Sequence, residues 1–224
     1  MSSAAVRDGI VLMIGLIISV GVHEFGHAVV AHWLGDPTPE KQGRVTLNPM
    51  AHADPVGTLL LPAFLIFVMP GTFLFGWGKP VQTQPLFYRR IVRGKRITMT
   101  SGDILVSVAG PVMNVLMALL MTGIIAAMVR LLDIPVSDPM ISALAMYLIL
   151  NLGLAVFNLL PIPPLDGSHI LISALHPHGR GFTDFMQQYG LWILIAVMAT
   201  GVLRYVFTPI LAIGMALLRL AVGA

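Results

Sequence analysis

The chain has 224 residues, of which 57% are hydrophobic and only 10% are charged, whereas an ordinary soluble domain carries about 25% charged residues. This composition indicates a membrane protein, and the absence of cysteine excludes disulfides and thiolate metal ligands. The net charge is +3 and the basic residues cluster in one loop, so nucleic acid is not an expected partner.

The sequence has six apolar segments, several of which approach or exceed the roughly 20 residues that a helix needs to cross a bilayer. They run over residues 10–34, 56–75, 104–132, 140–160, 189–207 and 210–222, the last being short for a full span. We therefore expect an all-α polytopic membrane protein with five to six apolar segments, one of them re-entrant. No repeat or soluble linker interrupts the sequence, which predicts a single domain over residues 1–224, with a core at 9–176 and accessory C-terminal helices at 189–222.

The first apolar segment contains an HExxH motif, His-Glu-Phe-Gly-His, at residues 23–27. On a helix, residues four apart lie on one face, so the imidazoles of His23 and His27 can share one metal ion. Glu24 can reach a metal-bound water without itself being a ligand. The segment resembles a signal peptide, but it lacks a small-residue cleavage site and carries this motif, so we expect a retained helix.

The alternative for this motif is a pair of core histidines and a glutamate packed without a function. Ionisable residues inside a membrane span are costly and usually functional, which favours a metal site. His32 is a tempting third ligand, but at 100° per residue it lies about 140° around the helix from His27. We therefore expect His32 at the membrane interface.

The second apolar segment decides the topology, because every later segment inherits its side of the membrane from it. If residues 56–75 dip into the membrane and return, nine basic residues lie on the side facing the end of the first helix, against two opposite. The nine are Lys41, Arg44, Lys79, Arg89, Arg90, Arg93, Lys95, Arg96 and Arg180, and the two are Arg7 and Arg130. If the segment crosses, the split is eight against three. The positive-inside rule favours a re-entrant segment, broken at Pro62 or at Pro70-Gly71, with the N-terminus outside and the active site toward the cytoplasm.

A catalytic zinc site needs a third protein ligand and leaves the fourth position to water. Asp166 is the best candidate, because prolines at 161, 163 and 164 stop the preceding apolar helix and a helix resumes near Ser168. Such an unwound stretch can aim a carboxylate into a helical bundle, and the re-entrant topology puts Asp166 on the same side as His27. Aspartate is also a favoured helix N-cap, and on the spacing alone the two interpretations are equal.

At these residues the chain resembles the site-2 protease family of intramembrane zinc metalloproteases, over nearly its whole length. In that family an HExxH helix and a later Leu-Asp-Gly segment bind zinc jointly, and residues 165–167 match that segment. The resemblance implies one Zn²⁺ per chain, held by His23, His27 and Asp166, with Glu24 as the general base.

Further elements carry the same resemblance. Residues 110–114, Gly-Pro-Val-Met-Asn, resemble the family's Gly-Pro-x-x-Asn element and single out Asn114, and Asn158 matches an asparagine that precedes the Leu-Asp-Gly segment. The stretch from residue 48 to 55 is typical of compact prokaryotic members. Within it, His52 is interpreted either as a residue that makes structural hydrogen bonds or as a residue that supports the metal ligands without binding the metal.

The stretch at residues 75–81 is similar to a re-entrant, β-like loop that presents the substrate as an added strand in this family. Its candidate contacts are Gly76, Lys79, Pro80 and Val81, and the mode of binding would be β-augmentation. The alternative is a plain loop rich in glycine and proline that begins a cytoplasmic segment.

The expected reaction is hydrolysis of a peptide bond within or near a transmembrane helix of another membrane protein. Zinc-bound water attacks the carbonyl, and Glu24 accepts the proton. The connection at residues 132–139 is too short for the PDZ domain that some members insert. The expected partners are a transmembrane substrate and the lipid bilayer of a prokaryotic plasma membrane, and no oligomeric state is indicated.

Two other functions compete with proteolysis. One is a zinc transporter, which should show several polar ligands along a path across the bilayer. The segment at residues 104–128 contains Asn114 but no histidine or carboxylate. This argues against a path of metal ligands across the bilayer. The other is a non-catalytic membrane scaffold, for which Glu24 would be dispensable.

Overall fold

The computed structural model describes residues 2–71, 74–92, 94–175 and 180–223. Its α-helices are α1 Ser3–Leu34, α2 Thr38–Lys41, α3 Leu61–Phe67, α4 Met99–Leu131, α5 Pro139–Asn158, α6 Asp166–Leu175, α7 Arg180–Ala199 and α8 Leu203–Val222. Residues 72–73 of the predicted re-entrant segment, Arg93 and residue 176 of the predicted core lie outside the described part, as does the side chain of Arg180.

Four of these helices, α1, α4, α5 and α8, are long and apolar enough to cross a membrane. Helices α1 and α4 have 32 and 33 residues, or nearly 50 Å at about 1.5 Å per residue, so they extend beyond a hydrocarbon core about 30 Å thick. Large apolar side chains such as Leu116, Leu119 and Leu120 are exposed along α4, as expected of a surface that faces lipid. The predicted all-α polytopic membrane fold is confirmed.

The ends of the long helices follow from local sequence. The side chain of Ser2 accepts a hydrogen bond from the backbone of Ala5 at the start of α1, and Gly35 ends the helix with φ at 106°. Only glycine adopts that left-handed conformation without a steric cost. The side chains of Thr98 and Asp138 cap α4 and α5 in the same way.

The second apolar segment forms a short broken helix. A π-helical piece, Pro55–Leu60, has 6 residues and continues directly into α3, which has 7. The carboxylate of Asp54 caps its start by accepting from the backbone N–H groups of Val56 and Gly57 at 3.0 and 2.7 Å. At about 20 Å, the combined helix is shorter than the roughly 30 Å hydrocarbon core. Its length is compatible with a segment that dips in and returns.

Residues 74–84, called the extended segment below, run without helix or sheet between α3 and a 3₁₀ turn at Pro85–Phe87. The stretch at residues 75–81, which was predicted to be β-like, belongs to no sheet. In the described part of the chain, sheet pairing occurs only between β1 Ile91–Val92 and β2 Lys95–Arg96. This antiparallel hairpin lies in the basic loop before α4.

The C-terminal helices differ from the prediction. The segment predicted at 189–207 is divided, because α7 ends at Ala199 and α8 begins at Leu203. Gly201 makes the break with φ at 68°. Pro209, which we expected to lie between two segments, sits inside α8 instead. Proline is tolerated within membrane helices because neighbouring groups satisfy the carbonyl that it frees.

The core of the bundle lies where α4 packs between α1 and α5. A Cβ atom at Gly26 of α1 would lie 2.8 Å from the carbonyl oxygen of Ala109 in α4, so glycine permits this close approach. Three turns nearer the N-terminus of α1, a Cβ atom at Gly15 would collide with the ring of Tyr147 in α5. The polar residues of the candidate site are therefore held between tightly packed helices.

Candidate metal centre

The HExxH motif lies on the face of α1 that meets α4, where there is no room for a side chain on the facing helix. A Cβ atom at Gly110 would lie 2.4 Å from Nε2 of His27 and 2.7 Å from Nε2 of His23. Glycine at position 110 therefore lets α4 lie directly against both imidazole rings. Pro111 follows it inside α4.

Asp166 brings a carboxylate to the same point from the start of α6. Its Oδ2 lies 3.1 Å from Nε2 of His23, and its Oδ1 lies 3.4 Å from Nε2 of His27. The two Nε2 atoms are 3.1 Å apart. Among the described residues these three form the group of metal-binding side chains, with their ligand atoms all within 4.8 Å of one another. The fold therefore joins residues separated by 139 positions along the chain (166 minus 27).

Hydrogen bonds at the two Nδ1 atoms fix the tautomer that each ring adopts when it is neutral. Nδ1 of His27 lies 2.7 Å from the carbonyl oxygen of Val106, which can only accept, so Nδ1 carries the proton. Nδ1 of His23 lies 2.6 Å from Oδ1 of Asn114. The amide of Asn114 is oriented by its Nδ2, which donates to Ser19 O at 3.2 Å and to Oδ1 of Asn151 at 2.9 Å. In the neutral rings the lone pair is therefore on Nε2, the nitrogen that faces Asp166, as in metal-binding imidazoles.

The donor set fits a zinc ion. Two imidazole nitrogens and a carboxylate converge at one point, and with both rings neutral this arrangement favours a bound cation. Oδ2 of Asp166 is buried and accepts no hydrogen bond in the described part of the chain. Two histidines and one carboxylate, with a fourth position open, are a ligand set used by catalytic zinc sites.

A buried polar network lies behind His23 and includes two residues that we did not predict. The side chains of Asn114 and Asn151 are joined as described above, and Nδ2 of Asn151 donates to Oγ of Ser19 at 2.9 Å and to the carbonyl oxygen of Tyr147 at 2.9 Å. Asn114, Asn151 and Ser19 are all at most 1% exposed. The sequence signal was present, because an asparagine in an apolar helix needs partners.

Glu24 lies beside the ligand group and contacts the extended segment. Its Oε2 accepts a hydrogen bond from the backbone N–H of Val81 at 3.1 Å. A Cβ atom at Gly78 would lie 3.1 Å from Cγ of Glu24 and 2.7 Å from Val20. Glycine at position 78 therefore lets the extended segment lie this close to α1 without displacing the side chain of Val20.

A cavity of about 710 Å³ opens at this centre. Its lining includes the ligand group and Glu24, together with most of the other predicted contacts, namely Gly76, Pro80, Val81 and Asn158. Three predicted residues, Asn114, Lys79 and His52, do not line it. Its lining also includes two polar residues that we did not predict, Asp103 and His169.

Asn158 and His52 make local contacts. Nδ2 of Asn158 donates to the carbonyl oxygen of Leu154, one turn earlier in α5, at 3.0 Å. His52 is fully buried, and its Nε2 lies 2.9 Å from the carbonyl oxygen of Thr46. The structure brings neither side chain into contact with the ligand group.

One edge of the extended segment is bonded to the region around the broken helix. The N–H of Trp77 donates to the carbonyl of Gly57 at 3.1 Å, and the carbonyl of Trp77 accepts from the hydroxyl of Thr58 at 2.7 Å. The N–H of Lys79 donates to the carbonyl of His52 at 2.8 Å. Residues 77 and 79 therefore direct their backbone groups away from the cavity.

The other edge of the extended segment carries unpaired backbone groups. In extended chain the N–H and C=O of one residue point the same way, and the direction alternates from residue to residue. Gly76 and Gly78 thus point opposite to Trp77 and Lys79, and within the described residues their N–H groups donate no hydrogen bond. Both glycines line the cavity.

Tyr88 anchors the chain just beyond the extended segment. Its side chain is 2% exposed and packs with Ala31, Leu34 and Val106. Burial raises the pKa of Tyr88 to about 12, so its phenol stays neutral at physiological pH.

Membrane-length helices around a buried pair of histidines and an aspartate, with a glutamate alongside, define a polytopic membrane protein of the metallohydrolase class. Comparison with known proteins gives the family. Residues 123–200 match the model described as Peptidase family M50. No solved structure shows a significant match.

Curated relatives extend the match over most of the chain. "Putative zinc metalloprotease YwhC" of Bacillus subtilis is 35% identical over 207 residues, covering 91% of this chain and 86% of that protein. "Putative zinc metalloprotease Rip2" of Mycolicibacterium smegmatis is 31% identical over 195 residues, covering 87% and 69%. The protein named Rip2 in Mycobacterium tuberculosis is 34% identical over 175 residues, covering 78% and 60%. The chain belongs to peptidase family M50, the zinc metalloproteases of the site-2 type, which confirms the resemblance noted from its motifs.

Proposed function

We propose that this protein is an intramembrane protease that hydrolyses peptide bonds within or near transmembrane helices of other membrane proteins. One zinc ion per chain would be held by His23, His27 and Asp166. Glu24 would be the general base. The observation that carries this proposal is the convergence of these four side chains on one cavity between membrane-length helices.

A zinc ion bound here would polarise both a water molecule and the carbonyl of the scissile peptide bond. Glu24 accepts the proton of the attacking water as the new C–O bond forms, and then donates it to the amide nitrogen as the C–N bond breaks. Oε2 of Glu24 is already held by the N–H of Val81. Among the described residues Oε1 accepts no hydrogen bond, so it is the oxygen proposed to move the proton.

The free edge of the extended segment supports a mode of substrate binding. A peptide bond in a transmembrane helix must leave the helix before it can be cut, and its backbone groups then need new partners in a site without bulk water. The backbone groups of Gly76 and Gly78 would supply them by β-augmentation. Lys79, whose backbone is bonded on the opposite edge, serves to anchor the segment and does not contact substrate.

The proposed orientation places the active site toward the cytoplasm of a prokaryotic cell and the N-terminus outside. The basic residues near the end of α1 and in the loop before α4 support this orientation. Helix α8 adds Arg204 at its start and Arg219 at its end, near Arg130, whose guanidinium binds the carbonyl oxygens of Leu220 and Ala221. Arg204 joins the nine basic residues on the cytoplasmic side, and Arg219 joins the two on the opposite side, so the split becomes ten against three.

Co-expression with candidate single-span membrane proteins tests the proposal. The wild type should release a shortened fragment of a substrate, and Glu24→Gln should release none while it retains zinc. Glu40→Gln is the matched control, because Glu40 is the chain's other glutamate and is exposed on α2. Equal fragment release by wild type and Glu24→Gln would refute the role of Glu24.

A further inference from the structure

Three charged side chains, from α1 and from the residues that follow it, form hydrogen bonds with backbone groups at three positions of the extended segment. Arg44 donates through Nη1 to the carbonyl oxygen of Lys79 at 3.2 Å. Glu24 accepts from the N–H of Val81 at 3.1 Å. Asp36 accepts through Oδ2 from the N–H of Gln84 at 2.5 Å. Each bond joins an ionisable group to backbone, so together they fix where the segment lies along α1.

The burial of two of these charges is costly and therefore informative. Arg44 is 4% exposed and Asp36 is fully buried. Within the described residues Arg44 has no carboxylate in ion-pair distance, and its Nη1 also donates to the carbonyl oxygen of Ala51 at 2.6 Å. Burying a guanidinium against two carbonyls costs free energy. Its presence therefore indicates that the relative position of the two loops that it joins is important. The basic-residue count alone had assigned Arg44 only a role in topology.

Arg44 acts on the same edge of the segment as the bonds from Thr58 and His52. The carbonyls of Trp77 and Lys79 and their N–H groups are then all occupied on the side away from the cavity. A slide of the segment along α1 by one residue would exchange the bonded and free edges at residues 76–79. A slide by two residues would keep the edges but break every one of these bonds.

We propose that Arg44 is a positioning residue that fixes the register of the extended segment against Glu24 and so selects which peptide bond is cut. This inference rests on the proposed function, because a substrate strand paired to the segment inherits the segment's register. Thr58, through its bond to the carbonyl of Trp77, and Asp36, through its bond to the N–H of Gln84, help to fix the same register. The segment and the proposed base are thus aligned by side chains that touch neither metal nor substrate.

The decisive measurement is the position of the cut, mapped by mass spectrometry of the released fragments. Arg44→Gln and Thr58→Val should retain zinc, lower kcat about tenfold through the loss of a charge-assisted or buried hydrogen bond, and spread the cut to bonds about two residues away. Arg44→Lys should stay closer to wild type, because an ammonium can donate to both carbonyls. Lys41→Gln removes the same charge from an exposed residue of the same loop and should cut as the wild type does.

A second measurement is independent of proteolysis. The chain has no cysteine, so Val81→Cys introduces a single thiol whose reaction with a maleimide reports exposure of the segment. Adding Arg44→Gln should speed that reaction about tenfold, and adding Lys41→Gln should not. Unchanged labelling together with a cut confined to the wild-type bond would overturn the proposal. If the wild type releases no fragment, the proposed function fails, while the labelling rates still decide whether Arg44 holds the segment.

Discussion

Nδ1 of His23 donates to Oδ1 of Asn114 across the interface of α1 and α4 at 2.6 Å. In the neutral ring this bond puts the lone pair on Nε2, which lies 3.1 Å from Oδ2 of Asp166. A residue that cannot itself reach the ligand group thus controls the tautomer and the direction of a proposed ligand.

Asn114→Leu should weaken zinc binding about 10- to 100-fold, because His23 loses the partner that orients its ring. Zinc retained after dialysis against graded chelator measures the effect. Asn158→Leu is the control, since among the described residues the side chain of Asn158 donates only to Leu154 in its own helix, so this variant should keep its zinc. Equal zinc loss in the two variants would contradict the orienting role of Asn114.

Gly110→Ala should lose zinc and proteolysis, because the new methyl group would lie 2.4 Å from Nε2 of His27. Overpacking of this kind costs about 1–3 kcal/mol, and here it falls on both imidazoles. Gly123→Ala in the same helix has nothing within 4 Å of the added Cβ and should behave as the wild type. Normal zinc content in Gly110→Ala would show that the two helices can separate without disturbing the site.

Asp166→Asn and Asp166→Ser distinguish a metal ligand from a helix cap. As a cap, aspartate is replaceable by either residue at little cost. As a zinc ligand it supplies a negative oxygen that neither neutral side chain matches, so both variants should lose zinc and nearly all cleavage while still accumulating. Asp138→Asn, at the capped start of α5, should have little effect. Near-wild-type zinc in both Asp166 variants would exclude this residue from the ligand group.

Val81→Pro removes the backbone N–H that holds Oε2 of Glu24. We expect kcat to fall about tenfold, with zinc content unchanged, because the proposed base loses one hydrogen bond of orientation. Gln82→Pro is the matched control, since the N–H of Gln82 donates no hydrogen bond within the described residues. Identical rates for the two proline variants would mean that the N–H of Val81 does not orient Glu24.

Reporter fusions at Ser2 and Lys95 test the proposed orientation. A re-entrant broken helix puts these positions on opposite sides of the membrane, with Lys95 in the cytoplasm. An alkaline phosphatase or green fluorescent protein reporter at each site reads the side directly. Both reporters on one side would require the short helix at residues 55–67 to cross.

Local patterns were enough for several conclusions. The spacing of His23 and His27 lies within one helix, so periodicity alone predicted that the two rings share a face, and their Nε2 atoms are 3.1 Å apart. The apolar runs predicted a polytopic helical membrane protein because the bilayer sets the length of each span. The break at Gly201 was missed, since glycine inside an apolar run carries no local sign of a left-handed turn and Pro209 was a stronger apparent stop.

The sequence by itself determined the membrane class, the HExxH helix and, through motif resemblance, the family. Spacing alone left Asp166 equally a ligand or a cap, and only the packing of α1, α4 and α6 brings its carboxylate to within 3.4 Å of both rings. From the sequence, Arg44 was counted only as a cytoplasmic charge. In the tertiary structure its side chain is buried and donates a hydrogen bond to the carbonyl oxygen of Lys79. The physical reason is that helix periodicity and hydropathy act over a few residues, whereas the partner of a buried polar group is chosen by which distant segments pack against it.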